Sequence, residues 1–462
     1  AEYDEVEEAN EEDKKRLLME FIRPFDLETA PLLRIKVIKV NQGTDLLFFD
    51  MHHIISDGLS TNIIIEDFKK LYASKMLAPL QVQYKDYSEW MRTRDLTDQR
   101  EYWRNELQHI PSSLELPLDY PRSQFQSFRG HNVVHSIKPE IKESIATLCK
   151  QTGTTEYMVL LSAFMILLSK YSKQEDIVVG SPFSGRVHPD TEKILGMFVN
   201  TLVMRGAPQG DKSFNTFLQE MKEKCLMAQA NQEYPFEELV EELNLVRDSS
   251  RNPLFDVVFS FQNIINPERE FEGNGFKEIT IERNVAKFDL TVTLTATEQG
   301  YGLSFEYCSD LFKESSIHQM MEHYVQILRG IIQNPEQKIV EINVVSEVEK
   351  EKILGGFNDT TVRNPKDMTV MTRFEEQARR VPDKIAVRAA GREITYRELN
   401  EKANQLAVKL REMGIERDDY VAITAERSLE TIIGICGIVK AGGAYVPIDP
   451  AYPQERITYM LE

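Results

Sequence analysis

Apolar and polar positions alternate most clearly in two stretches. Arg34–Val40 (RIKVIKV) reads as a half-buried strand. Phe288–Ala296 (FDLTVTLTA) is stricter: Phe288, Leu290, Val292, Leu294 and Ala296 share one face, and Thr291, Thr293 and Thr295 share the other. Turn residues follow each, at Asn41–Asp45 and Thr297–Gly300, and Leu46–Met51 and Tyr301–Cys308 read as the returning strands. Ser60–Ser74 carries a helical pattern, with Ser60 or Asp57 as its N-cap. The first hairpin therefore runs through a loop, His52–Gly58, into a helix. Lys138–Gln151 and Thr154–Lys173 predict helices separated by Gly153, and Phe214–Asn231, Pro235–Leu243 and Lys313–Ile332 predict three more. Asp176–Gly180, Met197–Met204 and Phe255–Phe261 predict strands. Interleaved helices and strands with at least one hairpin imply an α/β fold with a partly antiparallel sheet.

The pattern changes at Gly355–Met368, a polar stretch without periodicity. Beyond it come a helix (372–380), strands at Ile385–Arg388 and Glu393–Thr395, a helix (396–413), a strand at Tyr420–Ala425 and a helix (428–441). This reads as the beginning of a second α/β domain. The chain starts with Ala1 and ends within a helical pattern, so the expectation is a fragment of a longer protein.

Charge narrows the function. Fifty-five basic against 74 acidic side chains give a net charge of −19, which argues against a nucleic-acid binder, because phosphate contacts need a basic surface. Residues 1–20 hold nine acids against Lys14, Lys15 and Arg16, and read as a solvated helix or tail. Cys149, Cys225, Cys308 and Cys436 show neither metal-ligand nor redox spacing, so a reduced, cytoplasmic setting is expected. The acidic N-terminus is no signal peptide, and the longest apolar runs, Met158–Leu168 and Thr431–Val439, are shorter than a membrane span of about 20 residues.

The chemistry concentrates in Met51-His52-His53-Ile54-Ile55-Ser56-Asp57-Gly58. Histidine transfers protons near neutral pH, aspartate can orient a loop through arginine or backbone N–H groups, and glycine allows close approach of a ligand to the backbone. No further His, Cys or carboxylate stands at zinc-ligand spacing, so no metal is assigned.

MHHIISDG resembles the HHxxxDG motif of condensation domains in nonribosomal peptide synthetases, which share the fold of chloramphenicol acetyltransferase. YKDYSEW (Tyr84–Trp90), GMFVNTLVMR (Gly196–Arg205), NQEYPFEELV (Asn231–Val240), RDSSRNPLFDVVFSFQN (Arg247–Asn263) and YCSDLF (Tyr307–Phe312) resemble later blocks of that family, in order. ITYREL (Ile394–Leu399) and VKAGGAYVPIDP (Val439–Pro450) are similar to the first blocks of an adenylation domain.

The resemblance implies two acetyltransferase-like lobes around a central tunnel: an incomplete first lobe over 1–130 and a second over 131–350. A linker (351–368) then leads to a truncated adenylation part (369–462). It implies His53 as catalytic histidine, supported by His52, Asp57 and Gly58, with Asn263 and Ser309 as candidate tunnel-lining residues. Asp57 would pair with arginine; Arg186, Arg251 or an arginine preceding this chain are candidates. Asn200, Thr201 and Tyr234–Phe236 read as strand or packing residues.

The implied reaction is amide formation between thioesters held on upstream and downstream carrier domains. Phosphopantetheine sits on those partners, and ATP and magnesium belong to the rest of the adenylation domain. His53 could act as base, position the amine or stabilise the intermediate. A stand-alone acyltransferase of this fold, an epimerisation domain, a metal-dependent hydrolase and a non-catalytic carrier-docking module are the alternatives.

Overall fold

The computed structural model describes residues 2–7, 9–41, 43–111, 113–244, 248–262, 284–361, 368–424 and 427–462. The chain divides into two compact units, Ala1–Lys352 and Ile353–Glu462.

The first unit opens with a small sheet. β1 (Glu2–Val6) runs parallel to β2 (Leu33–Val40), and β2 pairs antiparallel with β3 (Leu46–Met51). The acidic opening is therefore a strand and then a helix, α1 (Glu11–Phe21), rather than a solvated helix or tail throughout. Lys36 of β2 meets Asp4, and Arg23 meets Glu2, so nearby cations offset charge that would otherwise oppose pairing. α1 begins with a capping box between Asn10 and Asp13 and sets Phe21 against Phe48 among Ile38, Val40 and Leu46. α2 (Gly58–Tyr72), α3 (Tyr84–Arg92) and α4 (Thr97–Glu106) follow.

A six-stranded mixed sheet holds the main core. Its order is β4 (Gly130–Ile137), β9 (Gly300–Cys308), β8 (Leu290–Thr297), β7 (Val257–Gln262), β5 (Ile177–Phe183) and β6 (Asn200–Gly206). β7 pairs parallel with β5 and β8, and the remaining pairs are antiparallel. Phe259, Val292, Phe305 and Val133 stand in register on one face.

On that face lies α6 (Glu156–Ser172), with every residue from Met158 to Leu168 buried. A helix apolar all round belongs at the centre of a large core. α5 (Pro139–Thr152), α7 (Phe214–Ala230) and α9 (Glu314–Gln333) flank it, with α8 (Phe236–Glu242) preceding β7. Gly153 ends α5 in the left-handed conformation, which permits the 105° bend into α6. The predicted Thr face of β8 is half-buried on the opposite side of its strand. All four cysteines are buried and free.

Among the described residues no single helix is long and apolar enough to cross a membrane. The α5–α6 pair passes together only as a bent pair, and the apolar length of α6 is already buried in protein.

At the end of this unit, His323 of α9 is buried between the Tyr171 hydroxyl (2.8 Å) and the Glu349 carboxylate (2.8 Å). This arrangement fixes the short helix Glu347–Glu351 where the chain leaves the unit.

The second unit pairs β10 (Ile385–Ala389) antiparallel with β11 (Arg392–Thr395), and β12 (Tyr420–Ile423) parallel with β13 (Ala444–Pro447). Helices α10 (Val370–Arg380), α11 (Tyr396–Glu412) and α12 (Leu429–Ala441) pack around Ile394, Leu399 and Leu429.

Phe164 is fully buried, stacks on Phe259 at 5.5 Å and meets Tyr324 edge-on at 6.1 Å. Phe164→Ala is expected to lower the stability of the first unit by about 3–5 kcal/mol, because the rings around it cannot close the hole. Denaturant unfolding followed by intrinsic fluorescence measures this, and a loss under about 1 kcal/mol would contradict the packing described.

Candidate active site

β3 ends at Met51, and the chain turns through a single 3₁₀ turn, His53–Ile55, before α2 starts. Asp57 is the N-cap of α2: its carboxylate accepts the N–H of Ser60 at 2.7 Å, three residues on. This satisfies an orphan donor and places negative charge at the positive end of the helix. The loop is thus held at both ends by regular structure, and its two histidines project from the turn between them.

The two histidines differ. His52 accepts the Ile54 N–H through Nδ1 (3.2 Å) and lies edge-on to Phe25, so it is a packed residue with Nδ1 unprotonated. His53 is exposed, and its Nδ1 lies 2.7 Å from the Ser56 carbonyl oxygen. A carbonyl can only accept, so Nδ1 carries the proton and, in the neutral ring, Nε2 keeps a free lone pair. Gly58 is exposed, and a Cβ built there would meet nothing within 4 Å. Neither packing nor a positive φ demands glycine at this position.

Asp57 is buried and reaches across the unit. Arg186 Nη2 lies 3.0 Å and 3.2 Å from its two oxygens, and the Phe198 N–H donates to it at 3.2 Å. Burial pushes the Asp57 carboxyl up, but the bonds from Ser60 and the charge of Arg186 outweigh that and hold it below the usual carboxylate value. Of the candidate arginines within this chain, Arg186 is therefore the partner. Arg251 pairs instead with Asp256 (2.7 Å) and Glu115 (3.2 Å).

Arg186 belongs to the connection from β5 to β6, residues 184–199, and that connection is gripped by side chains of α2 and α3. Ser60 Oγ donates to the Gly196 carbonyl (2.9 Å) and accepts the Gly196 N–H (3.1 Å). The Tyr84 hydroxyl donates to the Met197 carbonyl (2.7 Å). Phe198 packs between Tyr84, Tyr87 and the Arg186 guanidinium, which lies 4.1 Å above its ring. A Cβ on Gly196 would come within 2.0 Å of the Tyr84 ring, so only glycine allows that approach. These bonds explain why β6 starts at Asn200 and not at Met197. The N–H and C=O of Gly196, the C=O of Met197 and the N–H of Phe198 are satisfied by the side chains of Ser60, Tyr84 and Asp57 rather than by a neighbouring strand.

Ser309 and Asn200 fall outside this cluster. Asn263 lies outside the described residues. Ser309 is half-buried just past β9, and its N–H donates to the Arg129 carbonyl. Asn200 caps the approach to α8, donating to the Gln232 and Tyr234 carbonyls and accepting the Phe236 N–H. Sequence reading missed the parts played by Ser60, Tyr84 and Gly196. The signals were the motif blocks that begin at Tyr84 and Gly196 and the spacing of Asp57 and Ser60, three apart at a helix start.

In the second unit the Ala441–Gly443 turn has no free donors for a phosphate. The Gly442 N–H bonds to the Val439 carbonyl and the Gly443 N–H to that of Ile438, closing α12. The residues of this turn therefore do not fit a nucleotide phosphate.

Residues 1–354 match the condensation-domain family, and residues 374–462 match the AMP-binding enzyme family. The chain is 46% identical over 460 residues to gramicidin S synthase 2 of Brevibacillus brevis, covering 98% of this chain and 10% of that protein. It is 45% identical over 459 residues to tyrocidine synthase 2 of Brevibacillus parabrevis, covering 98% of this chain and 13% of that one. The crystal structure of a four-domain nonribosomal peptide synthetase bound to AMP and glycine superposes with a TM-score of 0.82 at 25% identity, over 100% of this chain and 36% of the other. The chain belongs to the condensation-domain family, continued by residues of the AMP-binding family, as found in nonribosomal peptide synthetases. It spans about a tenth of the length of these two curated relatives.

Arg186→Ala would leave the Asp57 charge buried without its cation and is expected to cost about 3–5 kcal/mol of stability. Because the native carboxyl is held low, its stabilising effect is complete above the unfolded value near pH ~4 and is lost as pH falls through the native value. Denaturation midpoints taken from about pH 7 down to about pH 2 should show an acid limb that Asp57→Asn flattens. An unchanged limb would show that this carboxyl is not held low.

Proposed function

We propose that residues 1–130 and 131–350 form the two lobes of a condensation domain that joins an acyl thioester to an amine, with His53 as the catalytic histidine. The observation that carries this reading is the bond from His53 Nδ1 to the Ser56 carbonyl, which leaves Nε2 unprotonated and facing outward. An α-amine of pKa near ~8 is largely ammonium at neutral pH and must lose a proton to attack. That first proton leaves to solvent; Nε2 takes a second one from the nitrogen as the neutral amine attacks the thioester carbonyl carbon. The C–N bond forms, the C–S bond breaks, and the proton passes to the departing thiolate. The products are an amide and a thiol. A positioned base of this kind contributes about 10²–10⁴-fold.

The supporting residues follow from the same geometry. His52 packs the turn, Asp57 anchors it through Arg186, and Gly58 leaves the backbone open where the reacting groups pass. Ser309, beyond β9, and Asn263 are assigned to the tunnel wall. The substrates are aminoacyl or peptidyl groups on the phosphopantetheine arms of upstream and downstream carrier domains. ATP and magnesium act in the adenylation domain that residues 369–462 begin, and the working site is the cytoplasm. The match to gramicidin S and tyrocidine synthases supports peptide antibiotics as the product class.

In a synthetase module carrying this segment, His53→Ala is expected to lower the single-turnover rate of amide formation by about 10²–10⁴-fold while leaving carrier loading intact. A rate within about twofold of the unaltered module would sink the base assignment. Gly58→Val should fold with an unchanged melting temperature, because its side chain meets only open space, yet slow the reaction by obstructing substrate. A destabilised Gly58→Val would mean that glycine serves packing there.

A further inference from the structure

We infer that Ser60 is a positioning residue for this reaction, setting the Asp57–Arg186 pair and through it the turn that holds His53. The inference rests on the condensation reading above. Ser60 is fully buried, and its hydroxyl is saturated. It offers one proton and two lone pairs. The proton goes to the Gly196 carbonyl at 2.9 Å, and the lone pairs receive the Gly196 N–H at 3.1 Å and Arg186 Nη2 at 3.0 Å. Its backbone N–H adds the 2.7 Å bond to Asp57. With two N–H donors aimed at the oxygen, the hydroxyl has only one productive orientation.

Arg186 shows why this matters. A guanidinium has five N–H groups. Nη1 donates to the Thr191 and Ile194 carbonyls, Nη2 divides between Asp57 and Ser60, and Nε is buried with no hydrogen-bond partner. Removing the Ser60 hydroxyl leaves a second buried N–H unmet on the same cation, together with both backbone groups of Gly196. The guanidinium then has reason to shift, and Asp57 shifts with it. Asp57 directly follows Ser56, whose carbonyl fixes the His53 ring. The path from Ser60 to Nε2 is thus Ser60, Arg186, Asp57, Ser56, His53, each link a hydrogen bond or a peptide neighbour. The Tyr84 hydroxyl also crosses to the β5–β6 connection, through its bond to the Met197 carbonyl.

A misplacement of an ångström or less is enough to slow a reaction without weakening binding. In a complete module, Ser60→Ala is therefore expected to reduce kcat about tenfold, with KM for the carrier-bound substrate within about twofold. Ser60→Cys keeps the shape and a weak donor and should fall between the two. The second readout is coupling: in Arg186→Lys, which cannot bridge Asp57 and Ser60 with the same fork, adding Ser60→Ala should cost much less than it does alone.

Melting temperatures separate positioning from folding. If Ser60→Ala does not fold, Ser60→Cys and its coupling to Arg186→Lys decide. Full kcat in a folded Ser60→Ala module, or additive losses with Arg186→Lys, would overturn the inference. The His53→Ala rate distinguishes the two readings: if that variant is fully active the base assignment fails, whereas an inactive His53→Ala beside an active Ser60→Ala removes only the role of Ser60.

Discussion

A buried carboxylate must be neutralised, and in this chain that requirement joins distant parts of the sequence. Asp57 is almost wholly out of water, and its cation, Arg186, comes from 129 residues further on. An isolated charge at this depth would cost several kcal/mol, so the turn that carries His53 and the β5–β6 connection form together. The cap on α2, the grip of Ser60 on Gly196, the hydroxyl of Tyr84 on Met197 and the ring stack on Phe198 all surround that one pair. His53 is left exposed, held by a backbone carbonyl rather than by a charged partner.

The strands and helices with strong periodicity were legible in the sequence. FDLTVTLTA gave β8 within two residues of its start, and Gly153 marked the break between α5 and α6, because only a residue at ease in the left-handed region ends one helix so close to the next. The acidic segment at the start misled, since its strand is exposed and forms through backbone pairing with β2 and through Lys36, which a local pattern does not contain. Helix α3 carried motif residues, α4 carried none, and β4 pairs with β9, a strand from the far end of the same unit. Edge strands and short polar helices take their stability from tertiary contacts rather than from their own composition.

For the site, the residue types were readable and the partnerships were not. His52, His53, Asp57 and Gly58 stood together in one run, and Arg186 was one of several possible cations. The choice between Arg186 and Arg251 depends on which loop passes under α2, a matter of topology. Arg251 is engaged in a separate network with Asp256 and Glu115. Ser60 and Asp57 were both candidate caps, because serine and aspartate are each favoured at a helix start. In the structure Asp57 takes that role, which frees the serine hydroxyl to face the other way.

The larger sheet has a consequence for how such chains can be rearranged. Gly130 pairs with Cys308, so the strand that enters the sheet and the strand that leaves it lie about 5 Å apart at one edge. A recombination replacing 130–308 as a block would cut and rejoin the chain at two neighbouring points, with little demand on the backbone outside. The compatibility requirement would lie elsewhere: α9 would have to pack on the incoming α6, Arg122 to meet Asp289 and Trp103 to reach the Asn231 carbonyl, and the site to close across the block. The incoming arginine, glycine and phenylalanine at 186, 196 and 198 must meet the resident aspartate, serine and tyrosine at 57, 60 and 84. In this fold the seam that is easiest to cut is not the seam that has to match.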